Sequence, residues 1–270
     1  MFHSSLRACY ALLLACMPIL ASHSALANGT HSNLKIEVVN DMDLNSREGV
    51  LKLRLRDGHN LVLGPDQLRI EHEKLFHLFM FDKGLKNFAH LHPVPNEAEP
   101  GTWTVPYKVA NPGTYKFWGD VTTKAGQKLT GFVETLILGD GDESVPATGL
   151  PEKLQGEDKE TVLTLNRPDG GFVAGRDLMV TFTLWRTTSD EQTNIVEYLG
   201  APAHFAVFTV DGTQMIHAHP MEMGGEYMLH GLNFPRAGDY RVWVQFIDRK
   251  NPNLPLEDEV HTVLLNIKVN

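Results

Sequence analysis

Two stretches of this chain carry three histidines at the same spacing, 127 residues apart. HLFMFDKGLKNFAHLHP occupies 77–93 and HFAVFTVDGTQMIHAHP occupies 204–220. In each, a first histidine is followed 13 residues later by His-x-His-Pro, so His77, His90 and His92 align with His204, His217 and His219. Both stretches predict a β-hairpin. In the second, the alternating run from Ala203 to Val210 meets Asp211-Gly212, a favoured two-residue I′ turn, before a return strand from Thr213 to His219. Folding there pairs Val210 with Thr213, Phe208 with Met215 and Ala206 with His217, and leaves His204 opposite His219. The first copy folds the same way about Gly84-Leu85, with His77 opposite His92 and Phe79 opposite His90. Side chains alternate faces along a strand, so the three histidines of each hairpin share one face. Direct cross-strand neighbours lie roughly 5 Å apart at Cβ and diagonal ones roughly 7–8 Å. Three imidazoles so placed can hold one metal ion at about 2 Å per bond.

The repeat extends beyond the hairpins. Leu51, Leu53 and Leu55 fall against Leu178, Val180 and Phe182, separated by mostly polar residues as in half-buried strands. Pro112-Gly113-Thr114-Tyr115-Lys116-Phe117-Trp118 matches Ala237-Gly238-Asp239-Tyr240-Arg241-Val242-Trp243, a Gly-x-Tyr turn of the kind that makes the tyrosine corner of immunoglobulin-like sandwiches. At the original offset, Val133-Glu134-Thr135 falls against Val260-His261-Thr262. Each half reads as six or seven short strands punctuated by Gly, Pro, Asn and Asp. The expected class is all-β, with two tandem immunoglobulin-like β-sandwich domains at 28–139 and 161–270. The acidic stretch 140–160, with no apolar period, reads as the linker, and a helical turn fits within 64–73.

Residues 1–27 read as a secretory leader: Arg7, an apolar run from Ala8 to Leu20, and a small-x-small cleavage site at Ala25-Leu26-Ala27. Leu13-Leu14-Ala15-Cys16 offers a lipoprotein alternative. The run is too short for a mature membrane span, and no other segment predicts one. The expectation is a periplasmic or secreted protein. Both cysteines, Cys9 and Cys16, lie in the leader, so a cleaved chain has neither disulfides nor thiolate ligands. With 33 acidic side chains against 24 Lys and Arg, nucleic acid is a poor partner.

Imidazole suits copper, zinc, iron and nickel, and the lack of thiolate excludes a blue-copper site of the His₂Cys kind. Met215, Met221, Met223 and Met228 crowd around His217 and His219, and soft thioether favours Cu(I). Copper is therefore the expected metal, with zinc the other candidate. His261 joins the six triad histidines as a candidate ligand through its match to Glu134, while Asp120, Gln245, His72, Glu73 and His230 are candidate extra ligands or orienting groups. His72-Glu73 with His77 lacks the four-residue spacing of a helical zinc-protease motif. A copper oxygenase gripping metal through an amino-terminal histidine fits poorly, because cleavage after Ala27 leaves Asn28 first. There is no Gly-rich phosphate loop and no Gly-x-Ser-x-Gly elbow.

HEKLFHLFMFDKGLKNFAHLHP followed by GTYKFWGD resembles a recurrent pattern in exported bacterial proteins of heavy-metal and copper-handling contexts. YLGAPAHFAVFTVDGTQMIHAHP followed by GDYRVWVQF and VHTV resembles its second module. More distantly, the Cys-free sandwich is similar to CopC-type copper carriers and to FixH/YtkA-like domains, whose ligands fall elsewhere in the chain. With the matched triads, the expected role is copper buffering or delivery rather than catalysis, with a metal ion and another exported metal-handling protein as partners. The rival expectation is an interaction module whose histidine faces pack at a domain or subunit interface. Neutral imidazoles are needed as ligands, so affinity is expected to fall below a pH of roughly 6.5.

Overall fold

A computed structural model describes residues 33–39, 46–137, 149–188 and 193–270. The leader and its two candidate cleavage sites lie outside the described residues, as do residues 140–148 of the acidic stretch. The first half contains β1 (Lys35–Val38), β2 (Glu48–Arg56), β3 (Leu68–Arg69), β4 (His77–Asp82), β5 (Phe88–Leu91), β6 (Val94–Pro95), β7 (Thr102–Lys108), β8 (Gly113–Thr123) and β9 (Lys128–Ile137). The second contains β10 (Gln155–Asp158), β11 (Thr161–Leu165), β12 (Asp177–Arg186), β13 (Ile195–Val196), β14 (Ala203–Thr209), β15 (Met215–Ala218), β16 (Met221–Met223), β17 (Glu226–Asn233), β18 (Gly238–Asp248) and β19 (Val260–Val269). The expected helical turn is a short 3-10 turn at Pro65–Gln67.

Each half is a sandwich of two antiparallel sheets. In the first, β1-β2-β7-β6 faces β3-β8-β4-β5, with β9 added on β8. In the second, β10-β11-β12-β17-β16 faces β13-β18-β14-β15, with β19 added on β18. Both tyrosine corners form: Tyr115 donates to the Asn111 carbonyl at 2.8 Å and Tyr240 to that of Arg236 at 2.7 Å.

β10 departs from the linker reading. Gln155 to Asp158 pair with Thr161 to Thr164, and Lys153 bridges to Asn266, so the second sandwich begins before residue 161. Its one buried position is Gly156, where a Cβ would come within 2.6 Å of Val263, so the strand needs no apolar side chain and shows no apolar period.

The final strands also correct the repeat. Lys116 pairs with Glu134, and its counterpart Arg241 pairs with Asn266. Asp120 pairs with Thr130 and Gln245 with Thr262, which sets His261 against the core residue Leu129 rather than Glu134. The connection between β18 and β19 runs over 249–259, against 124–127 between β8 and β9, and that insertion shifts the offset.

Each sandwich has its own apolar core, and a third apolar layer joins them. Leu78 and Met80 of β4 enter the first core, and Ala203, Phe205 and Val207 of β14 enter the second. The alternate residues Phe79 and Phe81, with Leu85 and Trp118, meet Ala206, Phe208 and Trp243 in the layer between the halves. Both strands are buried along their whole length because each face has a different partner. Phe81 meets its counterpart Phe208 at 4.5 Å between ring centroids, and Phe88 stacks on Trp243 at 4.6 Å. Trp118 donates its indole N–H to the Gly212 carbonyl across the same interface at 3.0 Å.

Candidate metal centre

The hairpins place the histidines. Phe79 pairs with His90 and Ala206 with His217, in the expected register, and His77 and His204 sit two residues back on the same face. The turns differ from expectation. In the second hairpin Gly212 N–H donates to the Thr209 carbonyl at 2.7 Å, and Thr209 pairs with Gln214 across a four-residue loop. A I′ turn needs positive φ at both central residues, and of Asp211 and Gly212 only Gly212 has it, at 64°. The Asp211 carboxylate holds the loop by accepting from Thr209 Oγ1, Thr213 Oγ1 and Thr213 N–H. The first loop is built alike, with Leu85 at φ 53° and Asp82 accepting from the backbone of Lys86 and Asn87.

True two-residue turns with both central φ positive lie just upstream of each triad. His72 and Glu73 have φ of 46° and 65°, and Leu199 and Gly200, 127 residues later, have 52° and 69°. Glu71 exchanges backbone hydrogen bonds with Lys74, and Tyr198 does so with Ala201. Each turn supplies a carbonyl to a triad: His77 Nε2 donates to Glu71 O at 3.0 Å and His204 Nε2 to Tyr198 O at 2.7 Å. A carbonyl can only accept, so the proton sits on Nε2 and the Nδ1 lone pair of both residues points into the triad.

The second histidine of each triad is oriented from the opposite half. His217 Nδ1 donates to Asp120 Oδ2 at 2.8 Å, and His90 Nδ1 donates to Gln245 Oε1 at 3.1 Å. Asp120 and Gln245 are the counterparts paired with His77 and His204 on β8 and β18, so the contact is reciprocal. Gln245 Nε2 donates to Thr262 Oγ1, which keeps its carbonyl oxygen toward His90. These bonds leave the Nε2 lone pairs of His90 and His217 facing inward. His77 Nδ1 and His90 Nε2 then confront each other at 3.0 Å, and His204 Nδ1 and His217 Nε2 at 3.4 Å. Two lone pairs at that range repel unless a cation lies between them. His92 Nε2 is buried with no hydrogen-bond partner among the described residues, and His219 Nε2 lies 2.9 Å from His204 Nδ1. In each triad one nitrogen per ring falls within 4.8 Å of the others, so the donors fit a single ion.

The triads are not separate sites on separate domains. His77 lies 5.1 Å from His217 and His90 lies 5.6 Å from His204 between ring centroids, so six imidazoles form one cluster across the interface. His72 extends it by stacking on His219 at 3.5 Å. Burial holds the triad histidines below the ordinary imidazole value, His92 at about 3 and His204 at about 4, and neighbouring imidazoles push the same way. The rings therefore stay neutral and competent as ligands to lower pH than free histidine would.

Four other expected residues go elsewhere. His261 pairs with Phe246, which pairs with Ala203, so strand alternation turns it away from His204. It stacks on Phe246 and donates to the Asp158 carbonyl at 3.0 Å, a core role. Met215 packs into the layer between the halves. Met221 and Met223 stand exposed on β16, where Met221 but not Met223 lines a cleft with His217 and His219. Of the candidate extra groups, Asp120 and Gln245 orient triad histidines; Glu134, the residue the repeat set against His261, pairs with Lys116 at 2.9 Å.

Among the described residues no helix is long and apolar enough to cross a membrane. No curated protein sequence matches the chain. Similar solved structures include a tetra-tandem repeat in the extending region of a large adhesion protein, at 11% identity over 89% of this chain and 50% of that chain, with a TM-score of 0.29. The chain thus spans half the length of that adhesion repeat. Fibronectin(III)-like modules of Clostridium thermocellum CbhA match at 13% identity over 87% of this chain and 94% of theirs, with a TM-score of 0.21. The model of a domain of unknown function, DUF8832, matches residues 28–136 and again 157–268, so the chain belongs to that family and carries its domain twice.

Proposed function

We propose that this is an exported protein that binds metal at two facing three-histidine centres, copper in preference to zinc, and buffers or delivers the metal rather than catalysing a reaction. One observation carries the reading. In both centres, hydrogen bonds to fixed oxygens take up the outward N–H of two histidines and turn their lone pairs on each other at 3.0 and 3.4 Å. A bound cation resolves that conflict, and burial disfavours the proton as the alternative. Each centre would be held by His77, His90 and His92, or by His204, His217 and His219, with Asp120 and Gln245 raising ligand basicity from outside. Copper is favoured by Met221, which shares a cleft with His217 and His219, and by the sequence resemblance to copper-handling proteins. The leader-like segment supports export.

Metal analysis and competition titration of purified protein, with His217→Ala and His90→Ala alongside, test this. Each substitution is expected to abolish tight binding at its own centre. Unchanged copper and zinc affinity in both variants would end the reading. A second reading, that the histidines only pack an interface, draws on the aromatic layer beside them. It expects the same variants to lower the melting temperature equally with and without chelator, in a protein that binds no metal.

A further inference from the structure

We infer that the second half carries a thioether site for Cu(I) at the mouth of the cleft beside His219, and that this site loads the second centre. The inference rests on the metal reading above. The duplication provides an internal comparison. After each His-x-His-Pro the chain enters a short strand, β6 in the first half and β16 in the second. Val94 of β6 pairs with Thr104, whereas Met221 of β16 pairs with Met228. One half therefore sets a valine against a threonine where the other sets two thioethers directly cross-strand, with Cβ atoms roughly 5 Å apart.

These methionines do not serve the core. Met221 and Met223 are 52% and 57% exposed, and alternation puts both on one face of β16 with Met228 beside them. Met221 also lines a cleft of about 670 Å³ together with His217, His219 and the exposed His230. The cleft thus joins one exposed thioether, that of Met221 with Met228 as its cross-strand partner, to the buried imidazoles of one centre. Glu197 and Glu222 line it as well and favour a cation over an anion there. Neutral, soft thioether selects Cu(I) over Zn(II), which suits a chain whose cysteines are confined to positions 9 and 16.

The test is anaerobic Cu(I) titration against a chromophoric chelator, with stopped-flow loading, on wild type, the pair Met221→Leu/Met228→Leu, and His217→Ala. Leucine keeps the volume and removes the sulfur. The leucine pair is expected to lose the weaker, thioether-bound Cu(I) and to load the second centre roughly tenfold more slowly, within the span over which on-rates vary in one site. It should take up Zn(II) at the wild-type rate. His217→Ala should keep the weaker Cu(I) and lose the tight ion of the second centre alone. A leucine pair that binds and loads Cu(I) like wild type overturns the inference and leaves the histidine centres standing. Wild type that binds only the weaker, thioether-dependent Cu(I) overturns the histidine reading and the loading role with it.

Discussion

At the scale of single residues, the two centres differ most at Asp120 and Gln245. Both accept a hydrogen bond from a histidine of the opposite half, but one is a carboxylate and the other an amide. A carboxylate behind a ligating imidazole makes it the better donor, although Lys128, 3.1 Å from Asp120, offsets part of that charge. Asp120→Asn is therefore expected to weaken metal at the second centre by about 10–100-fold and leave the first unchanged. Gln245→Glu should strengthen the first. Titration with one ion at a time reads both, and an Asp120→Asn protein with wild-type affinity at each centre would show that the carboxylate only packs. Hairpin spacing was enough to assemble both triads, because strand alternation is a local rule. The alignment of the two halves also flags Asp120 and Gln245, but not that each serves the other half, since that contact is made only when the halves pack. His261 was misplaced for a different reason. A seven-residue-longer connection before the last strand moved it from one face to the other, and nothing in a 127-residue offset reveals such a shift.

At the scale of elements, the loops show how register can be right while turn type is wrong. Asp211-Gly212 suggested a two-residue turn, yet Asp211 spends its carboxylate on Thr209 and Thr213 and keeps a four-residue loop. The even-numbered change in loop length left every pair below Phe208 and Met215 intact. Gly212 is needed twice: its φ is 64°, and an added Cβ would lie 3.0 Å from Phe81 Cε2 and Lys116 Cδ. Gly212→Ala should cost about 1–2 kcal/mol from the left-handed backbone alone, read as a lower denaturation midpoint with the same slope. The turn before the first triad predicts the opposite sign. Glu73 holds a φ of 65° where its counterpart is Gly200, and Glu73→Gly should gain stability of about 1 kcal/mol. A loss there would show that the Glu73 side chain, near Gly200 of the other half, has a packing role.

At the scale of the molecule, four sheets enclose three apolar layers, and the histidines occupy the edge of the middle one. The sequence disclosed two sandwiches through period-two strands and the two tyrosine corners. The middle layer is legible only in the first hairpin, which is apolar on both faces, with Phe79, Phe81 and Phe88 on one and Leu78, Met80 and Ala89 on the other. Burial of so many imidazoles makes the metal-free protein sensitive to acid. His92 and His204 titrate near 3 and 4 when folded, against an ordinary value of about 6.5. Between those values the unfolded chain binds protons that the folded one does not, so stability is full above pH 6.5 and declines as pH falls toward 4. Denaturation of metal-free protein at pH 7.5, 5.5 and 4.5 should show that decline, and a pH-independent midpoint would place the rings in water. The reciprocal Asp120–His217 and Gln245–His90 contacts carry one more consequence. In a homodimer of a single module, symmetry would force the same side chain at both places, giving two identical wells for the ion. Joining the copies in one polypeptide frees the pair to diverge, so that on the metal reading proposed above one well can be deep and the other shallow.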